Sequence, residues 1–238
     1  MTLWTYWEQS SKRARPAYLD LCLRTLRKNA GPHEVRVLDE NTVREWLPDL
    51  REDLDAKLIL PLKTDVIRFH LIREYGGMWL DFDTILMEKP NPIEAKLKEV
   101  DFIAFGARPN VWVIAGVKGS ETANAVIEVQ DELLDKHGKR YLTRQYFATG
   151  RNALRSVAGK TPFHLWDGGC VERDSLNRKI GNRRLVSREP LDEDCKKARI
   201  FLPIYHTAPG FPQRVKSMSE KEILESGTLM GNTFRQAL

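Results

Sequence analysis

Two acidic residues separated by a single residue interrupt an apolar run in the first half of the chain. They are Asp81 and Asp83, in the run MWLDFDTILM that begins at Met78. In an extended strand, alternate side chains share a face, so this spacing predicts that both carboxylates project together while Phe82 projects to the other side. Carboxylate oxygens suit Mg²⁺ or Mn²⁺, and apolar neighbours make an uncompensated charge costly. The pattern predicts a divalent metal site, with two solvated acids at a strand end as the alternative.

A second acidic residue precedes this run and is accompanied by an arginine. Asp65 and Arg68 lie three residues apart on a predicted helix and therefore share one helix face. The planar guanidinium could bind a diphosphate or sugar hydroxyls, and the carboxylate could accept hydrogen bonds from sugar hydroxyls. The alternative is a structural salt bridge within the helix, which contributes only about 0.3–0.5 kcal/mol when it is exposed.

The elements that must position these residues alternate between strands and helices. Strands are predicted at 3–7, 34–38, 101–106 and 111–117, and helices at 16–30, 61–75, 120–136 and 141–158, with a shorter helix capped by Asn41 and ending at Trp46. This alternation is typical of an α/β fold with a mainly parallel central sheet, which binds ligands beyond the carboxyl ends of its strands. The region after Pro162 is less regular, and we expect it to supply loops rather than a second core.

Length and composition favour one globular domain. The chain has 238 residues, of which 42% are hydrophobic, and this is enough for one sizeable core. No apolar run approaches the roughly 20 residues that span a bilayer, and the first residues lack the pattern of a secretory signal. We therefore expect a soluble, cytoplasmic protein. The three cysteines, Cys22, Cys170 and Cys195, are far apart in sequence and are expected to be free thiols.

The charge of the chain is moderately basic, with a net value of +5. Basic residues cluster at 12–15 and at 173–188, but acidic residues are interleaved elsewhere and no known nucleic-acid-binding module is present. We interpret these clusters as solvated surface and predict no nucleic-acid partner. The excess positive charge is compatible with an anionic ligand or with peripheral contact with a membrane.

Taken together, the two acidic motifs resemble a known block. The residues from Asp65 to Arg68, followed by REYGGMWLDFD from Arg73, are similar to the D-x-x-R…Y-G-G-x-[YW]-x-D-x-D block of DXD-motif glycosyltransferases. The similarity is strongest to the capsular polysaccharide synthesis and glycosyltransferase family 32 group, whose opening is also aromatic, like LWTYWEQ from Leu3. It covers roughly residues 3 to 90. The resemblance implies a GT-A fold, which is Rossmann-like, a divalent metal, a nucleotide-sugar donor such as a UDP-sugar, and usually retention of anomeric configuration.

Carried over to this sequence, the resemblance assigns a role to each residue of the block. Asp65 and Arg68 would bind the donor sugar and diphosphate, Asp81 would contact the ribose or sugar, and Asp83 would be a direct metal ligand. The opening strand would place Tyr6 or Trp7 beside the nucleobase, although aromatic residues in a first strand are often core residues instead.

The C-terminal part carries weaker signals. His206 follows a short apolar strand and precedes Pro209-Gly210, so it is the predicted second metal ligand, with a surface histidine as the alternative. Thr149-Gly150-Arg151 stands where related enzymes often have a Gly-Pro pair, which makes the acceptor side differ from the family.

The resulting prediction is a metal-dependent glycosyltransferase of polysaccharide biosynthesis, a hexosyltransferase-like enzyme that transfers a sugar from a UDP-sugar to a glycan acceptor with Mn²⁺ or Mg²⁺. Residues 1–160 would form the nucleotide-sugar-binding core and 161–238 the acceptor side and closing segment of a single domain. Two alternatives stay open. A metal-dependent nucleotidyltransferase or phosphoesterase would need more carboxylates, and a noncatalytic basic binding module would leave the four motif residues unexplained.

Overall fold

The computed structural model describes residues 1–8, 15–106, 108–166, 182–188, 190, 201–203 and 211–238. The chain divides into two compact units that are interleaved in sequence. The first unit comprises Met1–Trp7, Arg36–Leu80 and Pro92–Trp166, and the second comprises Glu8–Val35, Asp81–Asn91 and Asp167–Leu238. The prediction of a single domain with a boundary near residue 160 stays a prediction.

The described residues contain eight strands, which form a six-stranded and a two-stranded sheet. They are β1 (Thr2–Tyr6), β2 (Glu34–Leu38), β3 (Gly77–Leu80), β4 (Thr84–Leu86), β5 (Phe102–Phe105), β6 (Asn110–Gly116), β7 (His164–Trp166) and β8 (Phe201–Pro203). The larger sheet has the order β2-β1-β3-β6-β5-β7. β1 pairs parallel with β3 and β5 pairs parallel with β7, whereas β6 runs antiparallel between β3 and β5. The mainly parallel α/β sheet predicted from the sequence is therefore confirmed. β4 and β8 form the smaller, antiparallel sheet.

Helices and one π-helical turn complete the described elements. They are α1 (Ala17–Asn29), α2 (Val43–Trp46), α3 (Leu54–Lys57), α4 (Leu60–Tyr75), α5 (Asn91–Lys96), α6 (Glu121–Lys136), α7 (Lys139–Arg144), the π turn (Ala148–Asn152), α8 (Ala153–Val157), α9 (Asn182–Leu185), α10 (Gln213–Ser217), α11 (Glu220–Glu225) and α12 (Leu229–Ala237). No helix in these described ranges is long and apolar enough to cross a bilayer.

Helix α4 is the central helix of the first unit, and its ends follow the predicted signals. A proline lies in its first turn, and Gly76 ends it with a φ of 67°. The next residue, Gly77, has a φ of 106°, and a Cβ there would lie 2.4 Å from the carbonyl oxygen of Thr2 in β1. The glycine pair is therefore required to turn the chain from α4 into β3 beside β1. The indole N–H of Trp4 donates to the Gly76 carbonyl at 2.8 Å and fixes this corner.

Two helix predictions were wrong in detail. The short helix has Thr42 rather than Asn41 at its N-cap position, because the Asp39 carboxylate accepts hydrogen bonds from the backbone N–H groups of both residues. The Thr42 side chain makes no capping hydrogen bond. The predicted helix over 141–158 is broken into α7, the π turn and α8. Glycine at position 150 weakens a regular helix, and the contacts of the π turn replace those of an α-helix there.

The second unit has a helical core that the sequence did not predict. Tyr18 of α1 packs against Phe211 with ring centroids 5.2 Å apart, and Ile223 and Phe234 are fully buried. The side-chain amide of Asn29 donates to the carbonyls of Leu86 and Ala237, at 2.8 and 2.9 Å. The region after Pro162 therefore supplies three helices, α10 to α12, that pack against α1. Its apolar runs are too short to indicate helices on their own, since short helices depend on tertiary packing.

Candidate functional site

Asp65 and Arg68 form a buried ion pair on α4. Their side chains are 10% and 4% exposed, and Nη2 of the arginine lies 3.2 Å from Oδ1 of the aspartate. The other guanidinium nitrogens also have partners, since Nη1 donates to the carbonyl of Val111 in β6 and Nε donates to the carbonyl of Thr64 at 3.3 Å. The guanidinium lies 5.1 Å from the ring centroid of Trp79 in β3. Arg68 thus connects α4 to the two central strands β3 and β6. The prediction that Asp65 and Arg68 share one face of the helix is confirmed, because the two side chains are in contact.

The opposite side of the Asp65 carboxylate is covered by the π turn. The Thr149 hydroxyl donates to Oδ2 at 3.3 Å, and the Gln130 side-chain amide donates to both the Asp65 and Thr149 carbonyls, at 3.2 and 2.6 Å. A Cβ at Gly150 would lie 2.3 Å from Oδ2. Only glycine therefore lets the backbone approach the carboxylate so closely.

Gly150 is a site residue that the sequence analysis did not identify. Thr149-Gly150-Arg151 was noted only as standing in place of a Gly-Pro pair, and the structure places the first two residues against Asp65. A signal was present in the sequence, because an isolated glycine within a predicted helix often marks a close backbone approach.

Asp81 and Asp83 lie in a turn, so the predicted extended geometry was wrong. Asp81 directly follows β3, and the Thr84 N–H donates to the Asp81 carbonyl at 3.0 Å, which closes a four-residue turn before β4 begins. Both acidic residues are half-buried, whereas Phe82 between them is 6% exposed and lies 5.2 Å from the Arg15 guanidinium. The burial of Phe82 and the hydrogen bond of Thr84 set this turn in place of the strand. The acidic residues do follow the carboxyl end of a central strand, as the fold class predicts.

The carboxylate of Asp83 affects a buried thiol in the same unit. The pKa of Cys22 is raised well above its usual value, first by burial and then by the negative charge of Asp83. Cys22 is a free cysteine, as predicted. Cys170 and Cys195 lie outside the described residues.

The donor set of the acidic turn fits a hard divalent cation. Two half-buried carboxylates offer oxygen ligands, and Mg²⁺ and Mn²⁺ commonly take one or two protein carboxylates and complete their coordination with water and phosphate oxygens. Within the described ranges, no three His, Cys, Asp or Glu residues are grouped so that they could hold a metal ion. His206, the predicted additional ligand, lies outside the described residues.

The two predicted nucleobase neighbours differ in burial. Tyr6, at the end of β1, is 4% exposed and belongs to the hydrophobic core of the first unit together with Trp4. Trp7 follows the strand, is half-buried, and donates its backbone N–H to the Leu38 carbonyl at 2.9 Å. Trp7 is therefore the more accessible ring, and the nucleobase role of either residue stays a prediction.

The structure thus brings Asp65 and Arg68 together in the first unit and places Asp81 and Asp83 in one turn of the second. The donor-binding and metal-binding roles of these four residues stay predictions.

Residues 1–113 match the sequence model of a family described as "Capsular polysaccharide synthesis protein". The match covers just under half of the chain and includes both motifs, so the resemblance recognised from the sequence is confirmed. No curated protein sequence matches the chain significantly.

Several solved glycosyltransferases have a similar structure. The chain is similar to the apo-form glycosyltransferase GlyE of Streptococcus pneumoniae TIGR4, with a TM-score of 0.55 and 11% identity, covering 100% of this chain and 60% of GlyE. It is also similar to the galactosyltransferase LgtC, in complex with donor and acceptor sugar analogs, with a TM-score of 0.49, 12% identity, and coverage of 100% and 95%. A glycosyltransferase involved in glycosylation of the major capsid of PBCV-1 has a TM-score of 0.47, 14% identity, and coverage of 87% and 93%. At such identities the likeness to GlyE concerns the fold, which is of the GT-A type.

The family match and the fold agree with the class of enzyme predicted from the sequence. Two findings support a glycosyltransferase: residues 1–113 resemble the capsular polysaccharide synthesis family, and the chain has a fold like that of GlyE.

Proposed function

We propose that this glycosyltransferase takes its sugar from a nucleotide-sugar donor, a UDP-sugar in the first instance, and transfers it to a glycan acceptor with the help of Mn²⁺ or Mg²⁺. The observation that carries the proposal is the acidic turn from Asp81 to Thr84. It directly follows a central strand of a GT-A fold, within the residues that match the capsular polysaccharide synthesis family.

In this proposal Asp83 is the direct metal ligand and Asp81 contacts the ribose or sugar. A bound divalent cation supplies positive charge that stabilises the departing nucleoside diphosphate. The turn suits these roles because its backbone is closed by a hydrogen bond while its two carboxylates are only half-buried. The carboxylates are thus held on a fixed backbone, which lowers the cost of ordering them when the donor binds.

The proposed role of Asp65 and Arg68 is to bind the donor sugar and diphosphate from a rigid helix. Their mutual ion pair, the Val111 carbonyl and the Thr149 hydroxyl fix both side chains before any donor arrives. Groups held in this way stabilise developing charge without having to reorganise during the reaction. Because the Arg68 side chain is only 4% exposed, we propose that it contributes to donor binding through its fixed orientation and not by extending into solvent.

Retention of anomeric configuration is part of the proposal. No protein nucleophile is assigned, so we propose front-face displacement, in which the leaving phosphate oxygen assists the acceptor hydroxyl. The glycosidic bond forms on the face from which the diphosphate departs. The anomeric configuration of the product, read by NMR, tests this point separately from donor choice.

The main test is binding of nucleoside diphosphates to the wild-type chain by calorimetry, with and without Mn²⁺. We expect UDP to bind in the presence of Mn²⁺, and GDP and ADP to bind more weakly. Slow release of UDP from one of a panel of UDP-sugars would then identify the donor. Equal binding of all nucleotides regardless of metal would overturn the proposal, and cleavage of phosphodiesters without sugar transfer would favour the nucleotidyltransferase or phosphoesterase alternative.

A further inference from the structure

One stretch of the first unit is strongly basic and was not among the basic clusters identified from the sequence. Between Asp135 and Asp167 the chain has no acidic residue, but it has seven basic ones: Lys136, Lys139, Arg140, Arg144, Arg151, Arg155 and Lys160. The whole chain has a net charge of only +5. This stretch is therefore a third concentration of positive charge, besides the clusters at 12–15 and 173–188.

Exposed aromatic rings lie among these basic residues. Tyr141, Tyr146 and Phe147 are 47%, 40% and 45% exposed, which is unusual for such large rings. Together with Lys139, Arg140 and Arg144 they form what we call the basic-aromatic surface, which extends from α7 to the start of the π turn. All five consecutive residues from 143 to 147 are exposed, so the basic and aromatic side chains of this segment are accessible to solvent.

The basic groups of this surface are not neutralised by neighbouring acids. Within the described part of the chain, Lys139, Arg140 and Arg144 form no ion pair, and the Lys139 ammonium donates only to the Asp55 carbonyl, at 2.9 Å. Acidic side chains on adjoining elements pair with other cations. Asp55 lies 2.6 Å from Lys63, Asp135 lies 2.7 Å from Arg51, and Glu132 lies 2.9 Å from Lys136. The surface therefore presents an uncompensated positive field.

Contacts with neighbouring side chains also hold the basic-aromatic surface in place. Leu142 of α7 is fully buried and anchors the helix, while the Arg151 guanidinium stacks 3.7 Å from the Phe147 ring centroid. The Tyr146 and Phe147 rings contact each other edge to face, at 5.2 Å. These contacts fix the exposed rings in a defined orientation, so that a partner need not order them.

We propose that the basic-aromatic surface docks this enzyme onto a membrane that contains anionic lipids. Lysine and arginine near such a membrane are attracted by its negative surface potential, and tyrosine and phenylalanine bury their rings at the boundary between headgroups and acyl chains. An acidic glycan would match the charge equally well, but exposed rings that include a phenylalanine beside the cations also suit the apolar boundary of a lipid surface. The surface thus places a glycosyltransferase without a described membrane-spanning helix at a lipid interface.

The test is cosedimentation of the full chain with phosphatidylcholine vesicles, prepared with and without phosphatidylglycerol. Neither donor nor metal is added, so the outcome does not depend on the proposed function. We expect binding only to vesicles with phosphatidylglycerol, and weaker binding at high salt because the charges are screened. The Arg140→Gln/Arg144→Gln variant should bind about thirtyfold more weakly, since it removes two basic residues that each contribute on the order of 1 kcal/mol near the surface.

A matched control removes two other exposed cations of the same unit. Lys98→Gln/Lys118→Gln changes the net charge equally. Both lysines are exposed and lie outside the basic-aromatic surface, Lys98 after α5 and Lys118 after β6. This control should bind vesicles like the wild type, while Phe147→Ser should lower binding even at high salt. Equal losses in both double variants would reduce the effect to net charge and overturn the proposal. Wild-type binding to soluble polygalacturonate but not to vesicles would also overturn it, in favour of an acidic glycan.

Discussion

Helix α4 and the turn after β3 both carry acidic residues in apolar surroundings, but they hold the charge differently. On α4, Arg68 is 4% exposed and its nitrogens donate to the Thr64 and Val111 carbonyls and to the Asp65 carboxylate. In the turn, Asp81 and Asp83 are half-buried, on a backbone closed by the Thr84 hydrogen bond. The comparison shows that Asp65 and Arg68 are held in one geometry by contacts within the protein, whereas the carboxylates of Asp81 and Asp83 are more accessible to a metal ion.

Removing Arg68 tests the buried side of this comparison and should have the largest effect. We expect Arg68→Ala to lower the free energy of unfolding by about 3–5 kcal/mol, because it leaves Asp65 as an uncompensated buried charge. Urea denaturation measures the loss. The double variant Asp65→Asn/Arg68→Met should recover part of it, since no lone charge is left. A loss below about 1 kcal/mol, the value for an exposed pair, would contradict the structural role.

Arg68→Lys is a sharper version of the same test. One ammonium cannot reproduce three separately directed donors, so we expect a loss of roughly 1–3 kcal/mol together with impaired transfer. Turnover and stability close to those of the wild type would mean that charge alone matters at this position.

The acidic turn should respond in activity rather than in stability. Asp83→Asn is expected to lower kcat by about a thousandfold, since it removes a charged ligand of the cation that stabilises the leaving diphosphate, while the melting temperature stays unchanged. Metal-dependent binding of UDP should be lost as well. Glu88→Gln is the matched control, because this exposed acidic residue of the same unit should leave both quantities unaltered. Unchanged metal-dependent UDP affinity in Asp83→Asn would remove Asp83 from the metal site.

A buried histidine on α4, His70, should make the stability of the protein depend on pH. The pKa of His70 is lowered to about 4, first by burial and then by the charge of Arg73, which donates to its Nδ1 at 3.2 Å. The unfolded histidine has a pKa near 6.5, so the unfolded state binds more protons between pH 6.5 and 4. The folded state should therefore lose up to about 3 kcal/mol as the pH falls through this window.

Urea denaturation at pH 7 and near pH 4.5 measures that loss, and His70→Gln should flatten the pH dependence. Asp53, whose pKa is lowered to about 2 chiefly by its hydrogen bond with Arg51, loses its stabilising contribution mainly below about pH 4, so it adds little to the loss measured near pH 4.5. The same pH slope in wild type and variant would show that a group other than His70 titrates.

The smallest expected effect concerns the close approach of the π turn to Asp65. Gly150→Ala places a methyl group where the carboxylate lies, so we expect a stability loss of about 1–3 kcal/mol and a larger relative loss of transfer activity. Gly159→Ala is the matched control, because a Cβ there meets no atom within 4 Å. Indistinguishable behaviour of the two variants would mean that the Asp65 carboxylate can move without consequence.

Local signals in the sequence were sufficient for the framework of the first unit. The proline and the Gly76-Gly77 pair fixed the ends of α4 to within one residue, and Ser120 caps α6 through a hydrogen bond from the Ala123 N–H, as its position indicated. The three-residue spacing of Asp65 and Arg68 was enough to predict their contact. These features depend on interactions between residues close in sequence, which is why they can be read from the sequence alone.

Other features were decided only by tertiary structure. The turn geometry of Asp81 and Asp83 depends on the burial of Phe82, the contact of Gly150 with Asp65 joins residues 85 positions apart, and the helical core after Pro162 forms on α1. No local pattern specifies such contacts, because their free energy comes from surfaces that meet only when distant segments pack. The sequence by itself therefore determined the class of enzyme and the class of fold, whereas packing between distant segments decided how the acidic residues are held.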